Sequence, residues 1–547
     1  MDQLTNLSHD TSHTDTNPGT NVSDLTDLPI DVFLLIISYL SPRESILCRR
    51  VSRAWNVAFT SDDVSWNLMR WHFPHAREVR NTVGSLSRPA WGHTFPNVAS
   101  RYFHLRSARP RLVEKIPYGL EEKPKYICRR TLRPGLRRSV DTWSRWLQWN
   151  NNTAPFQHND PAWCLENGLL IYQEPVSYRY VAYDLETKLR FPVPFDGAGK
   201  TVRRHRLAHG ILVIEWCERD SFLMAIRAIG AVYCHYATAF DVQRSAGPNS
   251  SDSPGPWEIR LRSEWKIQNP GLSFHPRDRF FSAHSATHYA VYLWQPNRSP
   301  MGGDPLEKLT VWDITGTSSY RPSEDPTGAR IPGTAQPGPR IIQTFTCQDL
   351  DFFGIRQRQA PALREILLDE ANVYMHEENH RWLVGPLWQP PPPRHHQVRC
   401  TGIPLSGVGP RWFDECCADG DVHLSFCPRA GSAARVGDGS GDPGHFNGAW
   451  PGWAPCWRHE EFPYLTVSDM VDAEAGVRIV ARQCFVMEAL SSFVLPKISL
   501  EADLEETAEV DFPDDLWKQL LGSGKIAGDE RWVVGDDAEG TITVVRF

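Results

Sequence analysis

The stretch Leu28–Trp66, LPIDVFLLIISYLSPRESILCRRVSRAWNVAFTSDDVSW, decides how the first part of this 547-residue chain folds. After Leu28-Pro29, apolar residues fall at Val32, Phe33, Leu35, Ile36, Ile37, Tyr39 and Leu40. They cover more than one face of a helix, more than a short helical pair buries, so part of this surface is expected to pack against something else. Pro29 suits a first helical turn, where no intrahelical N–H is needed. Ser41-Pro42-Arg43-Glu44 has the capping-box pattern, with Pro42 at the first helical position. One helix therefore ends near Leu40 and another starts after Ser41. The second run carries Ile46, Leu47, Val51, Ala54, Trp55, Val57 and Ala58, mostly at spacings of three and four, and Ser61-Asp62 offers a further cap before Trp66. The pattern predicts about three short helices. Such a small unit buries too little surface to stand alone and is expected to be steadied by a partner or by the domain behind it. A helical cap on a larger domain satisfies the same pattern.

In order and spacing the stretch resembles an F-box: Leu28-Pro29, the acid Asp31, the aliphatic helix through Ile36 and Leu40, Ser41-Pro42, then Arg50-Val51-Ser52-Arg53-x-Trp55 and Trp66. Ser52 stands where the family often has Cys, and Asp31 where it often has Glu. The resemblance covers under a tenth of the chain. It implies docking on the adaptor subunit of an SCF-type ubiquitin ligase, and through it on the cullin, with Leu28, Pro29, Val32, Ile36 and Leu40 on the adaptor face. Val51 and Trp55 are assigned equally to that face and to the core between the helices.

The rest of the composition bounds the answer. The hydrophobic content of 41% and the 21 Trp suffice for a large core, and the length allows two to four domains, or one large domain with an appendage. A net charge of −7 recruits neither nucleic acid nor an anionic membrane, so neither is an expected partner. The 43 Pro and 38 Gly favour turns over long helices. The first 27 residues hold no apolar run of signal-peptide type, no stretch is long and apolar enough to span a membrane, and the 12 Cys are scattered. The expectation is an intracellular protein, cytoplasmic or nuclear, with reduced thiols.

Residues 1–23 are polar and expected to be disordered, 24–70 form the F-box, and 71–154 read as a basic, aromatic-rich linker. Between Arg101 and Asn150 stand 13 Lys/Arg against 4 Asp/Glu, with Trp143, Trp146 and Trp149 following the densest Arg group; residues 499–547 carry 13 Asp/Glu against 4 Lys/Arg. The cluster reads as a solvated linker, with phosphate binding as the alternative and the acidic carboxy-terminal region as another counterpart. From 155 to 547 short apolar runs alternate with turns. Gly168–Tyr172 leads to Tyr180–Leu185, Gly210–Ile214 to Ala231–Tyr233 and Ala237–Val242, and Thr287–Trp294 to Leu309–Ile314. The later runs end in aromatic-Asp-aliphatic, and the aspartates Asp184, Asp241 and Asp313 lie 57 and 72 residues apart. Repeated units that cannot cover their own faces pack radially. The fold class is therefore α plus all-β multidomain: a three-helix F-box followed by a β-propeller with Pro/Gly-rich inserts, with another all-β, sandwich-like domain as the alternative. Trp532–Val534 and Thr541–Val545 read as a hairpin closing the ring.

Motifs for chemistry fail on inspection. Cys416, Cys417, His423 and Cys427 lack paired zinc spacing. Gly522-Ser523-Gly524-Lys525 lacks the first Gly and the Ser/Thr of a phosphate loop. Asp438, Ser440 and Asp442 lack the Gly and Glu of a calcium loop. The expectation is no cofactor, no metal and no catalysis. The chain reads as the substrate-recognition subunit of the ligase, holding an unknown protein target with its carboxy-terminal domain. An F-box scaffold acting without ubiquitin transfer, or a propeller enzyme with a helical cap, are the alternatives.

Overall fold

The structure is a computed structural model describing residues 25–82, 90–118, 163–218 (except 176 and 178), 235–245, 255–267, 279–297, 303–325, 338–359, 362–382, 394–405, 412–419, 464–484, 497–502, 509–513, 516–521, 525–537 and 540–547. It divides into two compact units, residues 1–100 and 101–547. The expected tail at 1–23, the Arg129–Arg138 group with the three Trp that follow it, the run Ala231–Tyr233, and all or most of the loop motifs lie outside the described residues.

In the first unit a 3-10 turn, Leu25–Asp27, precedes α1 (Ile30–Ile37), α2 (Pro42–Cys48), α3 (Arg53–Thr60), α4 (Asp62–His72) and α5 (Arg77–Thr82); α6 (Trp91–Arg106) begins here. The capping box forms as read. Ser41 Oγ accepts from the Glu44 amide at 3.3 Å, and the Ser41 amide donates to Glu44 Oε2 at 2.9 Å. The second run is two helices rather than one, because Ser52 Oγ accepts from the Trp55 amide at 3.1 Å and starts α3 afresh. Ser61 corrects the reading in a second place. It occupies the cap position of α4 but makes no cap hydrogen bond there, its hydroxyl donating back to the Ala58 carbonyl at 2.8 Å. Phe33, Ile37, Phe59, Val64, Leu68 and Met69 form the core. Gly92, at the start of α6, seals it: a Cβ there would lie 2.1 Å from the Thr60 carbonyl oxygen. Asp62 Oδ1 accepts from the Gly92 amide at 3.1 Å, and Arg49 Nη1 donates to the Gly92 carbonyl at 3.0 Å.

Among its described residues the second unit contains six antiparallel four-stranded sheets. Sheet 1 is β2 to β5 (Trp163–Glu166, Leu169–Gln173, Tyr180–Asp184, Arg190–Pro192), and sheet 2 is β6 to β9 (Lys200–Ala208, Ile211–Glu218, His235–Arg244, Trp257–Lys266). Sheet 3 is β10 to β13 (Arg279–His284, His288–Gln295, Leu306–Asp313, Arg340–Phe345), and sheet 4 is β14 to β17 (Leu363–Leu368, Asn372–Trp382, Arg394–Pro404, Trp412–Asp419). Sheet 5 is β18 to β21 (Tyr464–Asp472, Val477–Cys484, Lys497–Ala502, Glu509–Asp511). Sheet 6 joins β22 to β24 (Ala527–Asp529, Trp532–Asp536, Thr541–Arg546) to β1 (Leu112–Pro117), which pairs with β24 from Leu112↔Arg546 to Pro117↔Thr541. Among the described residues, two short helices, α7 (Cys347–Phe352) and α8 (Leu516–Leu520), lie in the connections. The stretch read as linker, 71–154, thus supplies α5, α6 and β1 within its described part.

Burial explains why the strands read as unbroken apolar runs. Leu169 and Ile171 pack with Leu212, Ile214 and Trp216 of sheet 2, whereas the alternate Leu170 and Tyr172 pack with Trp532 and Val534 of sheet 6. Likewise Ile211 and Val213 meet Tyr289 and Val291 of sheet 3, whose alternate Tyr292 and Trp294 meet Ile366 and Val373 of sheet 4. A strand buried on both faces has no polar phase.

The same closure recurs at the end of five third strands. The amides of Leu185, Val242, Ile314, Leu405 and Phe547 donate to the carbonyls of Gly168, Gly210, Thr287, Ala371 and Arg531. The aspartates read from the repeat stand one residue before three of these positions, and two of them, Asp184 and Asp313, cap the turns that follow. Asp184 accepts from the Glu186 amide at 2.9 Å, and Asp313 from the Thr315 amide at 2.9 Å. Arginines of sheet 2 stitch neighbouring sheets near these sites: Arg244 reaches Asp184 of sheet 1 at 3.0 Å, and Arg262, paired with Asp241 of its own sheet at 2.6 Å, donates to the Ile314 carbonyl after β12 of sheet 3 at 3.0 Å.

Candidate functional site

The amino-terminal unit presents the candidate site on α1. Phe33 and Ile37 turn inward, and the Phe33 ring meets Phe59 edge-on at 5.5 Å. Four positions spaced i, i+3, i+4, i+7 do the opposite: Val32 (44% exposed), Leu35 (63%), Ile36 (39%) and Tyr39 (84%) form one apolar stripe open to solvent. Ile30 on α1, Leu47 on α2, Val51 in the bend and Val57 on α3 are also exposed. Contiguous apolar surface on a small unit marks a place where another surface is buried, because leaving it in water forfeits about 25 cal/mol per Å².

Of the residues expected on the adaptor face, Val32 and Ile36 lie in the stripe, Pro29 is exposed, and Leu28 and Leu40 are half-buried. Trp55 is half-buried and stacks on Phe59 at 5.7 Å, while Val51 is exposed. Leu35 and Tyr39 were not among the expected residues. Their i+3 and i+7 spacing from Val32 carries the signal, but an all-round apolar helix does not say which stripe is core.

The polar groups nearby do structural work. Ser41 holds the Glu44 carboxyl below its usual range through its hydroxyl and its amide. Burial pushes the Cys48 thiol up, away from thiolate, and lowers the Arg49 guanidinium, which lies 5.8 Å from the Phe95 ring. Among the described residues no three His, Cys, Asp or Glu are grouped to hold a metal ion, and no helix is long and apolar enough to cross a membrane.

Comparison with known proteins bears on this unit directly. The family model described as F-box-like matches residues 25–68. No curated protein matches the chain. Among solved structures, the chain is similar to a sialidase of Trypanosoma rangeli in complex with 2,3-difluorosialic acid (a covalent intermediate), at 9% identity and a TM-score of 0.28. That similarity covers 74% of this chain and 57% of the sialidase. The chain carries an F-box-like domain, built from residues 25–68.

Proposed function

We propose that this protein is the substrate receptor of an SCF-type ubiquitin ligase. The F-box-like domain docks on the adaptor through Val32, Leu35, Ile36 and Tyr39, flanked by Leu28, Pro29 and Leu40, and the cullin is reached through the adaptor. The observation that carries this reading is the solvent-facing apolar stripe of α1 and the turn that follows it, inside the segment that matches the F-box-like model. The six sheets are read as the blades of one β-propeller. Support comes from strands whose alternate residues pack on two different neighbouring sheets, and from β1, which completes the last sheet as a closing strand would. The propeller holds the target. The receptor does no bond chemistry of its own; it raises the local concentration of target lysines near the charged conjugating enzyme.

The test is capture of purified adaptor by the full chain, beside a Leu28→Ala/Pro29→Ala variant checked for folding by circular dichroism. Binding by the wild type and loss in the folded variant is the expected result. A folded wild type that captures no adaptor ends the reading. A target whose level does not rise on depletion of this protein, although the adaptor binds, reassigns the chain to a scaffold role.

A further inference from the structure

The connection from β12 to β13 is far longer than a hairpin needs. Its described part, residues 314–325, runs onto the last strand of the neighbouring sheet, β9, and is fastened there. Arg262 Nε donates to the Ile314 carbonyl at 3.0 Å and Nη2 to the Thr315 carbonyl at 3.3 Å. The Ser318 amide donates to the Arg262 carbonyl at 2.9 Å. The Ser323 amide donates to Glu264 Oε1 at 3.0 Å, and Glu264 Oε2 accepts from Thr238 Oγ1 at 3.0 Å. The segment is also tied to itself: the Tyr320 amide donates to Ser318 Oγ and the Tyr320 hydroxyl to Asp325 Oδ2, both at 3.2 Å.

The register of β9 explains why the fastening is at Arg262. The pairing with β8 passes from Ala239↔Ser263 to Phe240↔Leu261 and leaves Arg262 as the extra residue of a bulge. A bulge takes its residue out of the ladder and re-aims the side chain. The segment then crosses the edge of sheet 2. Ile314 packs with Ile211 and Val213 on the side of sheet 3. Glu264 pairs with Thr238, which alternates in phase with Tyr236 and Phe240 on the side of sheet 1.

That edge is the one most in need of cover. The first strands lie against one another, β2 against β6 and β22, β10 against β14, and β18 against β22, so the last strands are the outer ones. Among the outer strands as described, β9 is the longest at 10 residues, ahead of β17 at 8. An outer strand offers backbone donors and acceptors to any other chain, and short edges, charges, bulges and covering loops are the usual guards. The first half of β9 carries the exposed ion pair of Glu258 and Arg260, and the second half carries the bulge and the crossing segment.

We propose that residues 314–325 form a strap that guards the edge of sheet 2 and keeps β9 from pairing with the β9 of a second copy of this chain. Two such edges meeting about a two-fold axis would join their sheets into one. The strap does this whether or not the chain docks on an adaptor.

The test uses the full chain with Arg262→Ala/Ser318→Pro, which removes the guanidinium and the amide that hold the strap. Ser318→Pro alone, which keeps the Arg262–Asp241 pair, serves if the double variant fails to fold by near-ultraviolet circular dichroism. Hydrogen exchange and sedimentation velocity are read against wild type over a range of protein concentrations. Exchange of residues 314–325 should quicken at least about tenfold. The mass of the variant should rise with concentration beyond that of wild type, and the amides of residues 257–266 should exchange more slowly as it does. A released strap with the mass of wild type overturns the proposal, as does association that adds no protection to β9. Unchanged exchange of residues 314–325 also overturns it, because these bonds would then not be what holds the strap.

Discussion

Leu35→Asp and Ile37→Ala change residues two positions apart on α1 and should separate docking from folding. Leu35 is 63% exposed, so only about a third of its burial contributes to the free chain. Full burial of a leucine is worth about 1.5–3 kcal/mol. With the lower helix propensity of Asp, a few tenths of a kcal/mol, the substitution should cost the unit about 1 kcal/mol. Ile37 is 0% exposed, and truncating it leaves a cavity in the Phe33–Phe59 core. The cost there is about 3 kcal/mol, which speeds exchange of the α1 amides about 150-fold. Docking reverses the order. A carboxylate at position 35 must be desolvated in an apolar interface, which costs a few kcal/mol and should weaken adaptor binding at least about 100-fold. Ile37→Ala should bind with an affinity lowered only as far as its unfolded fraction dictates. The assay pairs hydrogen exchange of residues 30–40 in the full chain with calorimetric titration of purified adaptor. If Leu35→Asp binds as wild type does, or if loss of binding in both variants tracks loss of protection, the stripe is not the docking surface.

Gly92→Ala should destabilise the amino-terminal unit, because its Cβ would meet the Thr60 carbonyl oxygen at 2.1 Å and that oxygen is backbone, with no rotamer to move aside; intact protection of α3 and of the start of α6 in that variant would refute the close approach. His284 is buried between sheets 2 and 3, its Nε2 3.0 Å from the Ile211 carbonyl oxygen, and burial pushes it down to about 4. The folded state therefore binds fewer protons than the unfolded state between about pH 6.5 and 4. The His284 contribution is complete above that window and is lost as pH falls through it, up to about 3 kcal/mol. Urea unfolding of wild type and His284→Gln across pH 4–7 should converge at the acid end, and parallel pH profiles would contradict this.

The helices, the capping box and the turn aspartates were legible because each is a local arrangement. Ser41 and Glu44 are three residues apart, and Asp184 and Asp313 hydrogen-bond to the turns that follow them. The hairpin of β23 and β24 was legible for the same reason, since Val533↔Val545 needs only a short turn. Ser52 and Ser61 mark the limit. Both are hydroxyls near a helix start, and only the fold decides that one caps forward and the other bonds back.

What the sequence determined by itself was the presence of an F-box-like unit and of repeated strands ending in aromatic-Asp-aliphatic, since these are written in neighbouring residues. Tertiary structure decided everything that required knowing the far side of an element. It chose which stripe of the all-round apolar α1 is core, and it drew Leu112–Pro117 from a basic stretch across the chain to pair with Thr541–Arg546. It also gave each apolar run two different neighbouring sheets, and it fixed Arg358 in a left-handed turn by means of Glu307 and Trp294, side chains more than fifty residues away. The physical reason is common to all four: burial and pinning are properties of pairs of surfaces, and a one-dimensional pattern specifies a surface without naming its partner.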